Sequence, residues 1–145
     1  MRAAVKAVAQ TTATPNYVVD ACALLRFAQA EAGGERMREL LYEAAAGKCK
    51  LLMHIINLGE VVYTIGKRHG DAIAMQKRAE IEQLPVAIVP FDEPLFWSAV
   101  SLKSKYAISY ADAFAAALSI EKSAPLLTSD SEFESMAGLL TTMRV

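Results

Sequence analysis

The segment YVVDACALL, residues 17–25, joins a β-prone run to the start of a helix and decides the expected fold. The run from Tyr17 to Val19 consists of aromatic and β-branched residues, and Asp20 stands where a helix through Leu24 would begin. A strand followed at once by a helix is the first part of a strand–helix–strand unit, in which the strands pair in parallel. The segment therefore predicts an α/β fold.

The rest of the chain continues this alternation of short apolar runs with longer amphipathic segments. We predict a three-layer α/β/α sandwich around a central, mainly parallel sheet of four to five strands. The expected further strands are residues 50–55, 86–89, 125–127 and 139–145; the expected further helices are residues 35–46, 57–68, 71–84, 94–102 and 109–122, with a helical turn at 131–136 and with Gly33-Gly34 ending the first helix.

Composition and charge limit the classes of protein to consider. The chain has 145 residues, 54% of them hydrophobic and 21% charged, with a formal net charge of -1. We expect residues 16–145 to form a single domain and residues 1–15 to form a flexible N-terminal arm. Polar residues keep every apolar run shorter than the roughly 18 residues needed to span a bilayer, so no membrane partner is expected. A strongly basic nucleic-acid-binding surface is also excluded.

The two cysteines carry information about the compartment. Cys22 and Cys49 are not arranged with another cysteine or a histidine at a zinc-binding spacing. A reduced, intracellular setting fits this cysteine usage, and we expect the protein to be cytoplasmic.

Four acidic residues occupy equivalent positions along the predicted fold. Each lies at or just inside the start of a helix, and three of those helices directly follow a strand. The carboxyl ends of parallel strands and the helix starts after them form the crevice where ligands bind, so distant residues converge there. No Lys or Arg stands in the segments VVDACALL, INLGEVVY, SYADAFAA and LTSDSEF that carry them. The four residues are Asp20, Glu60, Asp112 and Asp130.

Helix capping explains each of these acids taken alone. Asn57 with Glu60, and Ser109 with Asp112, have the spacing of a capping box, and the other two are ordinary N-cap candidates. However, Glu60 and Asp112 lie one turn inside their helices and within apolar sequence, where an unpartnered carboxylate is costly. The set of four therefore favours a shared metal ion.

The ligand chemistry points to a hard divalent cation. Carboxylate oxygens suit Mg²⁺, with Mn²⁺ as a possible substitute, and such ions are held beside substrate phosphates by few protein ligands. The reaction that fits is phosphodiester hydrolysis by a metal-activated water, which requires no protein nucleophile.

The same four segments together resemble the PIN-domain family, most closely its VapC-type ribonuclease toxins of type II toxin-antitoxin systems. The resemblance runs from Tyr17 to about Val145, through the motifs VVDA, NLGEV, SYADAF and LTSD with Phe133. It implies that Asp20, Glu60, Asp112 and Asp130 coordinate the metal and carry catalysis, with Asn57 and Thr128 as supporting polar groups. It also implies an RNA substrate, a VapB-like antitoxin and a homodimer.

One position departs from the family pattern. The family usually has Ser or Thr two residues after the first Asp, where this chain has Cys22. Because a thiol is a weak hydrogen-bond donor, we expect the metal site to be retained with an altered metal affinity.

A few basic residues and histidines are further candidates for the site. Three basic residues are candidates for contacting RNA phosphates: Arg26, Lys67 and Lys103. The alternative for the two lysines is a solvated helix end, and the alternative for Arg26 is a salt bridge to Glu31 or Glu35. His54 is expected in the core.

Two other functions remain open at the level of sequence. A catalytically inactive PIN-like module would bind RNA or a protein partner without metal-dependent turnover. A phosphotransfer enzyme of the receiver or haloacid-dehalogenase type would need a second acid beside Asp20, which the segment Asp20-Ala21-Cys22 lacks.

Overall fold

The structure of the protein is a computed structural model, and it describes residues 14–145. Its first four strands are separated by pairs of helices, six helices in all, and a 3-10 helix separates the last two of the five strands. The strands are β1 (Asn16–Val19), β2 (Lys50–His54), β3 (Val86–Val89), β4 (Leu126–Thr128) and β5 (Thr142–Arg144). The helices are α1 (Ala21–Ala28), α2 (Gly34–Ala45), α3 (Ile55–His69), α4 (Asp71–Glu82), α5 (Glu93–Lys105) and α6 (Tyr110–Lys122), with the 3-10 helix at Ser131–Met136.

The sheet is parallel throughout the described residues, in the order β3-β2-β1-β4-β5. The chain first moves outward from β1 to β2 and β3, and then crosses back so that β4 pairs with the other side of β1. The order of strands thus reverses between β1 and β4, where Val19 is in register with Leu127. This reversal opens a crevice beyond the carboxyl ends of these two strands.

Alternate residues of the central strands enter two separate apolar cores. Val19 and Leu127 pack in the core formed with α1, α2, α3 and α4, whereas Val18 and Leu126 pack in the core formed with α5, α6 and the 3-10 helix. The period of two in a strand directs successive side chains to opposite faces. The sheet is therefore covered on both faces, and the expected three-layer α/β/α sandwich is confirmed.

Most element boundaries fall within two residues of the expected ones, and the start of α3 shows an informative difference. The helix begins at Ile55, two residues before the expected start at Asn57, and β2 ends at His54. His54 is the N-cap, because its Nδ1 accepts a hydrogen bond from the backbone N–H of Ile56 at 3.1 Å. Neutral histidine can accept at one ring nitrogen, although it is not a preferred N-cap residue.

The glycine pair was expected to end the first helix but instead begins the second. Helix α1 ends at Ala28; Gly33 is the N-cap of α2 with φ of 92°, and Gly34 is its first residue. A Cβ on Gly34 would lie 2.7 Å from the carbonyl oxygen of Arg26, so the backbone of α1 passes too close for any side chain. The glycines are therefore needed for the approach of α2 to α1.

Two further expectations concern the ends of the chain and the membrane. The flexible arm at residues 1–15 lies almost wholly outside the described residues, and a single domain for residues 16–145 remains a prediction. Among the helices that the structure describes, none combines the length and the apolar character that crossing a bilayer requires.

Gly34→Ala should lower the free energy of unfolding by about 1–3 kcal/mol, because the new methyl group meets backbone atoms that cannot move independently. Gly59→Ala is the matched control: it lies inside α3 with no atom within 4 Å of the added Cβ, and should stabilise by up to about 1 kcal/mol. Urea unfolding of both variants measures the difference, and equal stabilities would contradict the close approach of α1 and α2.

Candidate metal centre

The four predicted acids are carried by four different elements around the crevice. Asp20 follows β1 and caps α1, and Asp130 follows β4 and caps the 3-10 helix. Glu60 lies in α3, and Asp112 lies in the first turn of α6. The charges of these residues act on one another, since Asp130 raises the pKa of each of the other three. The fold therefore brings all four into one neighbourhood.

Asp20 is fixed by its own helix and by the neighbouring strand. One carboxylate oxygen accepts from the backbone N–H of Ala23 at 2.8 Å, and the other accepts from the hydroxyl of Thr128. The Thr128 hydroxyl oxygen in turn accepts from the backbone N–H of Asp130 at 2.9 Å. Thr128 thereby lies between Asp20 and Asp130 and sets the spacing of the two acids.

The tightest cluster of carboxyl groups contains one residue that the sequence did not single out. Oxygen atoms of Asp112, Asp130 and Glu132 all lie within 4.8 Å of one another. Glu132 belongs to the first turn of the 3-10 helix, and its backbone N–H donates to the Asp130 carboxylate at 2.9 Å. The available signal was the segment DSE, residues 130–132, in which Glu132 follows Asp130 by two residues. If Asp130 is a helix N-cap, the first turn of that helix brings Glu132 back beside it.

Burial and mutual repulsion make the carboxylates hard to ionise. Burial raises the pKa of Asp112 to about 8, assisted by the adjoining carboxyl of Glu132 and by the charges of Asp130 and Asp20. The pKa of Asp20 is raised to about 6, mainly by burial, although its hydrogen bonds from Thr128 and Ala23 oppose the shift. Such shifts arise where anions share a poorly solvated place.

Glu60 approaches the cluster from α3 and is only partly buried. Its pKa is raised by burial and then by the charges of Asp130 and Glu132. It is not among the three residues whose oxygens lie within 4.8 Å of one another. Glu60 thus stands at the margin of the cluster, beside the surface cleft between α1 and α3.

None of the five acids is neutralised by a basic side chain. Among the described residues, no Lys or Arg nitrogen lies within 4.0 Å of the carboxylates of Asp20, Glu60, Asp112, Asp130 or Glu132. Oxygen donors close together and without counter-charge match the ligand preference of Mg²⁺ or Mn²⁺. The residues present therefore fit a divalent cation.

Asn57 ties the metal-side end of α6 to α3. The residue is fully buried, and its Nδ2 donates to the carbonyl oxygen of Ala111 at 2.9 Å. This bond is made one residue before Asp112, whose own N–H donates to the N-cap hydroxyl of Ser109 at 3.1 Å. Asn57 and Ser109 together fix the position of Asp112.

His54 belongs to the core, as expected. It is fully buried against the ring of Phe114, with ring centroids 4.8 Å apart. Burial lowers the pKa of the imidazole, so the ring is neutral, and its Nδ1 is already occupied at the start of α3.

Comparison with known proteins assigns the family. A family model described as PIN domain matches residues 17–139, which is most of the chain. The chain belongs to the PIN-domain family. No curated protein sequence matches it significantly.

Solved structures that resemble this PIN domain share its fold at low sequence identity. The VapBC2 complex of Rickettsia felis, bound to a fragment of its promoter DNA, has a TM-score of 0.69 at 17% identity, covering 89% of this chain and 98% of that one. VapC20 of Mycobacterium tuberculosis, a toxin that cleaves the sarcin-ricin loop, has a TM-score of 0.68 at 21% identity, covering 86% and 96%. DNA-bound VapBC of Salmonella typhimurium has a TM-score of 0.72 at 12% identity, covering 90% and 98%.

The three basic residues considered for substrate binding lie in different surroundings in this PIN domain. Arg26 forms no ion pair with Glu31 or Glu35; its Nε donates to the hydroxyl of Ser129 at 2.8 Å. Lys103 donates to the carbonyl oxygen of Ile108 at 2.7 Å, and so holds the loop before α6. Lys67 lines a separate groove of about 740 Å³ between α3 and α4. Of the three, Arg26 alone is hydrogen-bonded to a residue next to an acid of the cluster, and phosphate contacts by all three remain predictions.

Cys22, the departure from the family pattern, contacts the same hydroxyl. Its Sγ lies against Oγ of Ser129, the residue between Thr128 and Asp130. The position therefore still reaches the loop after β4, through a sulfur contact in place of a hydroxyl hydrogen bond.

Without a divalent cation, the PIN domain should lose stability as pH rises from about 4 to about 8. The folded pKa values of Asp20 and Asp112 lie above the unfolded value, so the folded state binds more protons in this window and the free energy of unfolding falls with pH. For nearly fully buried Asp20, the shift corresponds to about 3 kcal/mol. Chemical unfolding in a chelator at a series of pH values measures this slope.

Asp112→Asn should flatten that pH dependence and raise the stability at pH 8, because an amide carries no charge to bury. Glu121→Gln, an exposed acid at the other end of α6, is the control and should keep the wild-type slope. A wild-type slope in Asp112→Asn would contradict the proposed burial of charge.

Proposed function

We propose that this PIN domain is a metal-dependent endoribonuclease, which hydrolyses RNA phosphodiester bonds with a water activated by carboxylate-bound Mg²⁺ or Mn²⁺. The observation that carries the proposal is the convergence of three carboxyl groups within 4.8 Å, with Asp20 and Glu60 beside them and no basic partner among the described residues. Such an arrangement has a physical reason to exist when a cation binds there, and it costs stability otherwise.

The ligands in this proposal are the carboxylates of Asp112, Asp130 and Glu132, with Asp20 completing the site from β1. A divalent cation bound there supplies a water of lowered pKa and stabilises charge on the phosphate oxygens. Thr128 keeps Asp20 and Asp130 in register through its two hydrogen bonds, and Asn57 and Ser109 hold the turn that presents Asp112. In this proposal Glu60, whose carboxylate feels the charges of Asp130 and Glu132, orients a water or a metal-bound ligand from the edge of the cluster.

The biological setting in the proposal is a toxin-antitoxin pair in the cytoplasm. Support comes from the family and from the fold shared with VapBC complexes, including the Rickettsia felis and Salmonella typhimurium structures. The partners are then an RNA substrate, a VapB-like antitoxin that restrains the nuclease, and a second copy of this chain. The exposed rings of Phe91, just before α5, and Trp97, within α5, offer apolar surface for such assembly.

Wild-type protein should cleave single-stranded RNA internally when Mg²⁺ or Mn²⁺ is added and should be inactive in excess chelator. Asp112→Asn should reduce the rate at least about 100-fold, because it removes a carboxylate ligand at the centre of the cluster while keeping the shape of the side chain. Gel analysis of a labelled RNA measures both rates.

Glu121→Gln is again the matched control and should cleave at the wild-type rate. Cleavage that survives both Asp112→Asn and Asp20→Asn would remove the proposed site. RNA binding without any metal-dependent cleavage by the wild type would instead favour the inactive PIN-like module.

Mg²⁺ and Mn²⁺ binding should strengthen as pH rises toward 8 and should release protons, because Asp112 must lose its proton to act as a ligand. Glu132→Gln should weaken binding about tenfold or more if Glu132 is a ligand. Isothermal titration calorimetry in two buffers of different ionisation enthalpy measures both the affinity and the proton release. Wild-type affinity in Glu132→Gln would exclude that residue from the site.

A further inference from the structure

A small cleft adjoins the acid cluster on its α1–α3 side and brings two arginines and two glutamates together. It has a volume of about 190 Å³, and its lining includes Cys22, Arg26, Glu31, Glu60 and Arg68. Glu60 belongs both to this cleft and to the electrostatic neighbourhood of Asp130 and Glu132. The cleft is therefore continuous with the proposed catalytic centre, and two arginines line it.

Arg26 is held rigidly without the use of a carboxylate. Its Nε donates to the Ser129 hydroxyl at 2.8 Å, and its Nη1 donates to the carbonyl oxygen of Ala32 at 2.5 Å. Within residues 14–145, no acidic group forms a salt bridge with it. Neutral acceptors therefore orient the guanidinium, and no described carboxylate compensates its charge, which leaves it available for an anion.

Ser129, to which Arg26 is hydrogen-bonded, belongs to the loop between β4 and the 3-10 helix. Ser129 stands between Thr128, which donates to Asp20, and Asp130, which belongs to the carboxyl cluster. A bond to Ser129 thus couples the position of the guanidinium to that of the acids. This arrangement is the one expected of a group that must hold a substrate at a fixed distance from the reacting centre.

Arg68 approaches the cleft from α3. It lies two turns beyond Glu60, and its Nη1 donates to the side-chain oxygen of Gln29 at 2.5 Å, with Glu31 at 3.4 Å. Its side chain remains 55% exposed, so the ion pair with Glu31 is weak and can be exchanged. The neighbouring Lys67 lies on another face of the same helix.

An RNA chain faces a repulsive field at this crevice. Five carboxyl groups surround the proposed reaction centre, the net charge of the protein is -1, and a divalent cation can counter only part of the repulsion near one phosphate. The neighbouring phosphates need local cations, and guanidinium groups bind phosphate through paired N–H donors. Two arginines next to the acids meet that need.

We propose that Arg26 and Arg68 form a subsite for a non-bridging phosphate oxygen of a nucleotide adjacent to the cleaved bond, with Arg26 as the positioning residue. The proposal rests on the proposed ribonuclease function and names how that site holds its substrate. The subsite reads the backbone and contributes no base specificity.

Binding of a fluorescent single-stranded RNA by anisotropy, in chelator so that no cleavage occurs, tests the subsite through its salt dependence. Arg26→Gln should weaken binding about tenfold at low salt. It should also make the slope of log K against log[salt] shallower by about 0.7, the value for one phosphate contact on a single strand. Arg68→Gln, which disturbs only surface contacts, should change the slope in the same direction.

Arg36→Gln provides the matched control, since Arg36 is an exposed arginine on α2 that pairs with Glu39. It should keep the wild-type slope. Thermal unfolding of each variant identifies any loss of folding, and the result for Arg68→Gln still decides the question if Arg26→Gln does not fold.

A set of RNAs, each with one neutral methylphosphonate linkage, locates the contact. Wild-type binding should fall most at one linkage, and Arg26→Gln should be insensitive to that same replacement. Wild-type slopes in both arginine variants, or a methylphosphonate effect that persists in Arg26→Gln, would overturn the subsite. The cleft would then bind a protein partner or have a purely structural role.

The cleavage assay separates this proposal from the proposed function. If wild-type protein cleaves RNA with Mg²⁺ while the arginine variants bind with unchanged salt slopes, the nuclease stands and the subsite is wrong. If the slopes change but the wild type never cleaves, the phosphate contact stands and the nuclease is wrong.

Discussion

The pairing of β1 with β4 is the constraint on which the rest of the site depends. Val18 and Val19 are in register with Leu126 and Leu127, and the N–H of Asp20 donates to the carbonyl oxygen of Leu127 at 3.2 Å. The two strands therefore end side by side, at the place where the strand order of the sheet reverses. Each strand is followed by an acid, and the Thr128 hydroxyl joins the two.

The gathered carboxyl groups are held against their own repulsion by the apolar layers around them. Asp112 is an almost buried acid in α6, where the following residues from Ala113 to Leu118 are buried. The packing of that helix against α5 and the sheet fixes the position of the acid, whatever its charge costs. Functional sites commonly carry such a local penalty, which the remainder of the fold offsets.

The three residues from Thr128, the last residue of β4, to Asp130 connect the parts of the site. Thr128 contacts Asp20, Ser129 contacts Cys22 and Arg26, and Asp130 joins the carboxyl cluster. Successive side chains of one short segment thus contact Asp20 after β1, the cleft that contains Arg26, and the proposed cation site. A small shift of this loop would move all three together, which is why the β1–β4 register matters beyond the stability of the sheet.

The sequence by itself determined the type and order of the elements. Short β-branched runs and amphipathic segments report local preferences and burial, and these survive folding, so the parallel three-layer architecture followed from them. The segments carrying Asp20, Glu60, Asp112 and Asp130 were also identifiable, because acids at helix starts after parallel strands share one edge of the sheet. The start of α3 at Ile55 was missed, since a histidine cap depends on a ring nitrogen that is directed by the buried contact with Phe114.

Tertiary structure alone decided which side chains meet. Glu132 joins the carboxyl cluster because the 3-10 helix folds it back beside Asp130, whereas Glu134 in the same short helix does not join it. Likewise, Arg68 enters the cleft whereas its neighbour Lys67 faces the other groove, because consecutive residues of a helix point about 100° apart. Local sequence sets helix and strand, but the direction of each side chain toward a site is set by how the helices dock on the sheet.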